Sequence, residues 1–191
     1  MKIIAFNGSA RLNGNTSIII ETVLNETAKE GIESEVINLC QKKIRGCTAC
    51  GKCYENQDLK CVVNDDLNLC FAKMLEADAI LLGSPTYFTD VTTEMKALID
   101  RAGFLAKANQ DALKYKVGAA VVAVRRGGAI HAFDTMNHFF LINSMIVPGS
   151  SYWNDCFGRE KGEAKNDAEG IQTMTNLGRN MAWLMKKLKD R

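Results

Sequence analysis

Proline and histidine are scarce, at two residues each in a chain of 191. With so few prolines there is no Pro/Ser-rich linker, and no internal repeat or low-complexity tract divides the chain. Residues 1–191 are therefore read as a single domain, long enough for a sizeable core. The histidines, His131 and His138, neighbour Phe133, Phe139 and Phe140 in a helical pattern and read as surface or core residues. No Ser/His/Asp arrangement suited to nucleophilic catalysis is present. No apolar run approaches the roughly 20 residues that cross a bilayer. Charge of one sign is also lacking: 24 basic against 22 acidic residues leave +2, which does not make nucleic acid the default partner. Met1–Phe6 is apolar only briefly before a Gly-containing turn, which reads as a first strand and not as a signal peptide. The expectation is a cytoplasmic protein with neither membrane nor nucleic acid as partner.

Cysteine, by contrast, is plentiful. Seven are present, and four of them (Cys47, Cys50, Cys53 and Cys61) fall within fifteen residues. In a reducing compartment, clustered thiols point to metal or redox chemistry and not to disulfides. Cys40, Cys70 and Cys156 are scattered and are assigned to packing. Trp153, Trp183 and the Met-rich last helix are assigned to core or interface.

Short apolar runs at Lys2–Phe6, Glu33–Leu39, Ala79–Gly83, Val117–Val124 and, less distinctly, Met145–Pro148 alternate with helical patterns. Asn15-Thr16 is placed to cap the first helix, and Asp65-Asp66 start another whose dipole suits acids. Five strands alternating with helices predict an α/β three-layer, flavodoxin-like sandwich. Its parallel sheet is expected in the order 2-1-3-4-5, with helices on both faces. The stretch 40–64 lacks periodicity, and loops that long usually carry function. It holds all four clustered cysteines.

After the first strand, Gly8-Ser9-Ala10-Arg11-Leu12-Asn13-Gly14-Asn15-Thr16-Ser17 leads into the first helix. In a doubly wound sheet this turn lies at the ligand-binding edge. Backbone N–H groups and the helix dipole there attract one phosphate, with Ser9, Asn15, Thr16 and Ser17 as further donors and Arg11 adding charge. The loop lacks the Gly-Lys-Ser/Thr ending of a triphosphate loop and is not Gly-x-Gly-x-x-Gly. Strand two ends in Asn38-Leu39-Cys40, without an acid for an adenosine ribose.

The pattern Gly-Ser-x-Arg-x-x-Gly-Asn-Thr resembles the phosphate loop of the NADPH-dependent FMN reductase superfamily. A second match follows at Gly83-Ser84-Pro85-Thr86-Tyr87-Phe88, similar to that family's Gly-Ser-Pro-x-Tyr motif, which lies against the isoalloxazine ring. The helix Val91–Arg101, with its Lys-x-x-x-Asp-Arg ending, also resembles the family's, and Arg125-Arg126-Gly127-Gly128 stands where relatives carry a Gly-rich flavin loop. The resemblance implies FMN held by Ser9, Arg11, Asn13, Asn15, Thr16, Ser17, Ser84, Pro85, Thr86, Tyr87, Phe88, Arg125, Gly127 and Gly128. It implies no catalytic side chain, because the flavin carries the chemistry.

Cys47-x-x-Cys50-x-x-Cys53, then seven residues to Cys61, puts three thiols on a Gly-flanked loop with a distant fourth. Structural zinc sites usually pair two separate Cys-x-x-Cys knuckles, which this lacks. A cluster, zinc or no metal all stay open on spacing alone. The spacing is similar to that of the iron–sulfur flavoproteins of the same superfamily, which carry FMN plus a [4Fe-4S] cluster. Lys42, Lys43, Arg45, Lys52 and Lys60 surround the loop and would favour a reduced cluster. The expectation is an FMN-dependent oxidoreductase coupling such a cluster to FMN and fed by NAD(P)H or a ferredoxin-like donor. The alternatives are a NAD(P)H-dependent flavin or quinone reductase without a cluster, and a flavodoxin-like carrier. A homo-oligomer, dimer or tetramer, is expected from an apolar rim of Tyr87, Phe88, Val91, Met95, Phe104 and Leu105.

Overall fold

The computed structural model describes residues 1–189. Five strands, β1 (Lys2–Asn7), β2 (Glu33–Asn38), β3 (Ala79–Pro85), β4 (Val117–Val124) and β5 (Asp155–Phe157), form one sheet in the order β2-β1-β3-β4-β5. All four pairings are parallel, with Ile4 opposite Ile80 and Gly83 opposite Val121. Period-2 alternation sends successive side chains to opposite faces. Ile3, Ala5, Leu81 and Val121 pack under α1 (Asn15–Ala28) and α6 (Ala168–Lys189). Ile4, Phe6, Leu82 and Val122 pack under α3 (Leu67–Glu76), α4 (Thr93–Ala108) and α5 (Ala129–Ile142). Burying each large apolar side chain contributes roughly 1.5–3 kcal/mol. Because neither face is left to water, the strands read as continuous apolar runs. The five-strand order agrees with the sequence.

The last strand lies later than Met145–Pro148. Ile146 makes one parallel bridge to Val117, donating to Lys116 O and accepting from Gly118 N–H. Pro148 has no N–H for the ladder. The chain leaves the sheet there and returns at Asp155, where Asn154 donates its amide to Ala120 O at 3.1 Å. The packing assignment holds for two of the three scattered cysteines, and the tryptophans are not in the core. Cys70 and Cys156 are core residues, whereas Cys40 is exposed. Trp153 and Trp183 are exposed and outside the core. The cysteine stretch contains a five-residue helix, α2 (Lys52–Asn56), that begins after Gly51 in the left-handed region.

Candidate functional site

The C-terminal edge of the sheet is held by a buried polar network. Asn7, the last residue of β1, has no exposed surface. Its Oδ1 accepts from Ser9 N–H at 3.0 Å, and its Nδ2 donates to Ser17 Oγ at 3.1 Å and Asn38 Oδ1 at 3.0 Å. Ser9 Oγ in turn accepts from Arg11 N–H and curls the phosphate-type loop. Gly8 sits where a Cβ would lie 3.0 Å from Thr92 Oγ1 and 3.2 Å from Met95, so glycine lets the loop approach α4 closely without displacing either. Thr92 caps α4, accepting from Met95 N–H, and its hydroxyl donates to Gly8 O at 2.8 Å. Thr92 N–H donates to Ser84 Oγ at 3.1 Å, which ties the loops after β1 and β3 together.

The first turn of α1 presents the N–H groups of Asn15, Thr16 and Ser17, which have no intrahelical acceptor. Gly14, and not Asn15, is the N-cap residue. The Asn15 amide is committed elsewhere. It donates to Glu160 O at 2.9 Å and accepts from Gly162 and Ala164 N–H, latching the loop after β5. Thr16 is buried, and its hydroxyl makes no hydrogen bond among the described residues. Arg11 and Asn13 are exposed, Asn13 with φ 54°.

Beyond β3, Tyr87 and Asp90 exchange backbone hydrogen bonds at 2.8 and 3.0 Å around Phe88 (φ 48°) and Thr89 (φ 65°). Two positive φ angles in such a tight turn suit Asn-Gly. Phe and β-branched Thr there are strained, and strain of this kind clusters at ligand clamps. The Phe88 side chain is wholly exposed and Tyr87 half so. Thr86 Oγ1 is buried without a partner. Gly128 (φ 87°) packs on this turn, since its Cβ would meet Thr89 at 3.0 Å and Thr86 at 3.2 Å. Arg125, Arg126 and Gly127 lie exposed beside it. Unpaired donors, exposed aromatics on a strained turn and a glycine shelf on one edge fit a phosphate followed by a flat apolar ring.

The four clustered cysteines line a second pocket, of ≈ 30 Å³, with Val62, Val63 and Leu105 as apolar lining. No carboxylate contributes to that lining. Cys47 and Cys50 are exposed, and Cys53 and Cys61 are partly covered. The Lys52 N–H and Thr48 hydroxyl hold the Cys50 thiol below its ordinary pKa, whereas burial pushes Cys53 up. Cys61 is gripped through its backbone by Asn68 of α3, which accepts from its N–H at 2.8 Å and donates to its carbonyl at 2.9 Å. Under the pocket lies Arg101 of α4, 2% exposed. It donates to Asp65 at 2.5 Å, Arg45 O at 2.9 Å and Cys61 Sγ at 3.1 Å. Burial opposes its charge, but Asp65 and Cys61 outweigh that and hold the guanidinium above its ordinary pKa. Among the described residues no three His, Cys, Asp or Glu side chains converge tightly enough for a single ion. A four-thiol set without carboxylates suits a soft polynuclear centre in its chemistry. The pocket they line is small, ≈ 30 Å³, on the scale of a water molecule. The Gly46–Cys50 arm makes no backbone–backbone hydrogen bonds to the rest of the fold among the described residues, so it is the part that can open.

Asn7, Thr92, Asn68 and Arg101 were not picked out as site residues from sequence. Only Thr92 carries a local signal, a Thr just before a helix. Arg101 stands in a quoted motif, but its burial against Cys61 depends on tertiary structure. Asp65 and Asp66 accept from Arg45 and Lys43 N–H, respectively, and so serve the cysteine loop as well as α3. Val91, Met95 and Leu105 are buried, which reduces the apolar rim to Tyr87, Phe88 and Phe104. No helix among the described residues is long and apolar enough to cross a membrane.

The NADPH-dependent FMN reductase family model matches residues 1–159. An iron–sulfur flavoprotein of Methanocaldococcus jannaschii is 41% identical over 196 residues, covering 99% of this chain and 100% of its own. One from Methanosarcina thermophila is 32% identical over 192 residues, covering 99% and 97%. Among solved structures, RosB with bound 8-demethyl-8-formylriboflavin-5'-phosphate has a TM-score of 0.81 at 19% identity, over 100% of this chain and 81% of its own. A flavodoxin from Archaea gives 0.63 at 20% identity, over 97% and 99%. Such low identities carry the fold, while the family match and the full-length relatives carry the kinship. The chain belongs to the NADPH-dependent FMN reductase family, is similar within it to the iron–sulfur flavoproteins, and is an FMN-dependent oxidoreductase.

Proposed function

We propose that the protein couples FMN on the sheet edge to a [4Fe-4S] cluster held by Cys47, Cys50, Cys53 and Cys61. When bound, the flavin supplies two-electron chemistry and the cluster one-electron traffic. Ser9, Arg11, Asn13, Thr16, Ser17 and the first-turn N–H groups of α1 would hold the phosphate, with Asn15 acting through the loop it latches. Ser84–Phe88 and Arg125, Gly127 and Gly128 would bracket the ring and exclude water from one face. The observation that carries the coupling is a shared helix. Thr92 at the start of α4 fastens the flavin-side loops, and Arg101 of the same helix fastens the cysteine loop. Along the axis they are about 14 Å apart at 1.5 Å per residue. One rigid element thus sets the separation of the two sites within a chain.

Exposed Tyr87, Phe88 and Phe104 support a homo-oligomer, dimer or tetramer, that covers them. The donor is NAD(P)H or a ferredoxin-like protein, the latter favoured by the basic residues around the cysteine loop. The test is anaerobic FMN titration of the intact protein, followed by stopped-flow reduction with each donor. Tight FMN binding is expected, weakened about tenfold or more by Thr16→Ala through loss of a charge-assisted hydrogen bond. Reduced ferredoxin should outpace NAD(P)H. Absence of flavin binding by the wild-type chain would overturn the reading.

A further inference from the structure

We propose that Arg101 is the positioning residue of the cysteine pocket. Its guanidinium seats the Cys61 sulfur as fourth ligand and keeps a fixed positive charge against the group the thiols bind. This rests on the reading that they bind an iron–sulfur cluster.

Cys61 is the outlier of the set, separated from Cys53 by seven residues, and the chain between them is exposed. It turns through left-handed Gln57 (φ 49°) and Leu59 (φ 62°), so local structure does little to aim it. Two side chains from outside the loop do so. Asn68 fixes the Cys61 backbone through both its N–H and its carbonyl. Arg101 reaches the sulfur itself at 3.1 Å.

The guanidinium fork explains why this is an arginine. Nη1 is pinned by two acceptors, Asp65 Oδ2 and Arg45 O. Because the fork is planar and rigid, pinning one nitrogen fixes where the other points, and Nη2 points at Cys61 Sγ. A purely structural tie between α4 and the loop would need only the two oxygen acceptors. Arginine is almost never fully buried unless paired. Here one carboxylate answers the charge, Nε has no partner, and the remaining fork edge faces a thiol. That is the arrangement expected if the pocket becomes more negative when loaded, as four thiolates around an iron–sulfur core would make it. The surface cations of the loop are largely exposed and screened by water and salt, so the buried one dominates. A cation there favours the reduced state.

The test compares full-length wild type with R101M, R101K and D65N after anaerobic reconstitution. It reads iron retained against a graded chelator and the midpoint potential by electron paramagnetic resonance. FMN titration serves as the fold control. R101M is expected to release iron at about 10- to 100-fold lower chelator, the usual effect of losing an outer-shell partner. Any cluster it retains should titrate at a more negative potential. R101K keeps a charge without the fork, so it should move the potential back toward wild type without restoring iron retention. D65N, which frees the fork, should weaken retention in the same direction. R101M with wild-type retention and potential would overturn the proposal. If R101M does not fold, the same result from R101K and D65N would do so. A wild-type protein that takes up no iron is a different result, which removes the cluster reading and this proposal with it.

Discussion

The flavin edge and the cysteine loop leave neighbouring strands of one sheet, yet they are held by opposite means. At the flavin edge Asn7, Ser84 and Thr92 are essentially inaccessible, and each uses its polar atoms on a neighbouring loop. Buried polar groups must be satisfied internally, so such a network leaves the loops a single conformation before any ligand arrives. The cysteine arm has no comparable lining. Cys47 and Cys50 stand in solvent, and order enters the loop at its two ends, where Asp65 and Arg101 hold Arg45 and where Asn68 and Arg101 hold Cys61. The contrast separates loops ordered by buried partners of their own from a loop tied down mainly at its ends; under the proposed function, a ligand of the second would also have to order the chain.

The largest expected effect tests whether the two sites are independent. Cys53→Ala should abolish iron uptake, which in wild type should be about four iron and four sulfide per chain for a [4Fe-4S] group. FMN affinity should be unchanged, because nothing in the buried network touches Cys53. Cys40→Ala, Cys70→Ala and Cys156→Ala should keep full iron. Cys70 and Cys156 are core thiols whose burial pushes them up to about 11 and about 12, respectively. Colorimetric iron and sulfide assays beside fluorescence titration of FMN would check this. A Cys53→Ala protein that also loses FMN would show that the cysteine loop is part of the flavin site.

The same contrast marks what was legible in the sequence. Strand order followed from period and count, because both faces of the sheet are apolar and the strands stand out as runs. The exception was β5. Pro148 breaks the edge after one bridge at Ile146, and the three residues of β5 carry too little pattern to announce themselves. The tight turns after β1 and β4 were legible through their glycines, Gly8 and Gly128. Side chains that act across the fold were not. Asn15 looks like a cap in the chain, but in three dimensions its amide faces Glu160, Gly162 and Ala164, distant in sequence and brought close by the crossover to α6.

A smaller effect separates the two asparagines that flank the phosphate-type loop, Asn7 at the end of β1 and Asn15 at the start of α1. Asn7→Ala removes partners from Ser9 N–H, Ser17 and Asn38, and a buried group left unsatisfied costs about 1–3 kcal/mol. The urea midpoint should fall and FMN affinity should drop about tenfold or more. Asn15→Ala acts on a partly exposed latch. It should cost less stability and show itself as faster proteolysis within residues 158–166. Equal losses from the two substitutions in urea and FMN titrations would erase the distinction between a core network and a surface latch.

The smallest effect is a pH dependence of the cysteine loop, read at Asp65. Burial alone would raise Asp65, but the Arg101 guanidinium and the N–H groups of Arg45 and Leu67 outweigh it, so its carboxyl titrates below the ordinary value. A group depressed in the folded state stabilises it fully above the unfolded pKa, about 3.9 for Asp. That contribution is lost as pH falls through the lower, folded value. Between pH 7 and about 5 the loop should therefore be unaffected, and it should loosen only below about 4. The links among Asn7, Ser17, Ser84 and Thr92 contain no group that titrates there, so that network should outlast it. Pepsin digestion of the metal-free protein suits the acid range. Cuts within residues 46–60 should accelerate as pH drops below about 4. D65N, which lacks the titrating carboxylate, should be open in that segment already at neutral pH, as read with a neutral protease. If wild type is cut there no faster at pH 3 than at pH 5 once pepsin's own pH profile is divided out, the Asp65–Arg101 pair is not what anchors the loop.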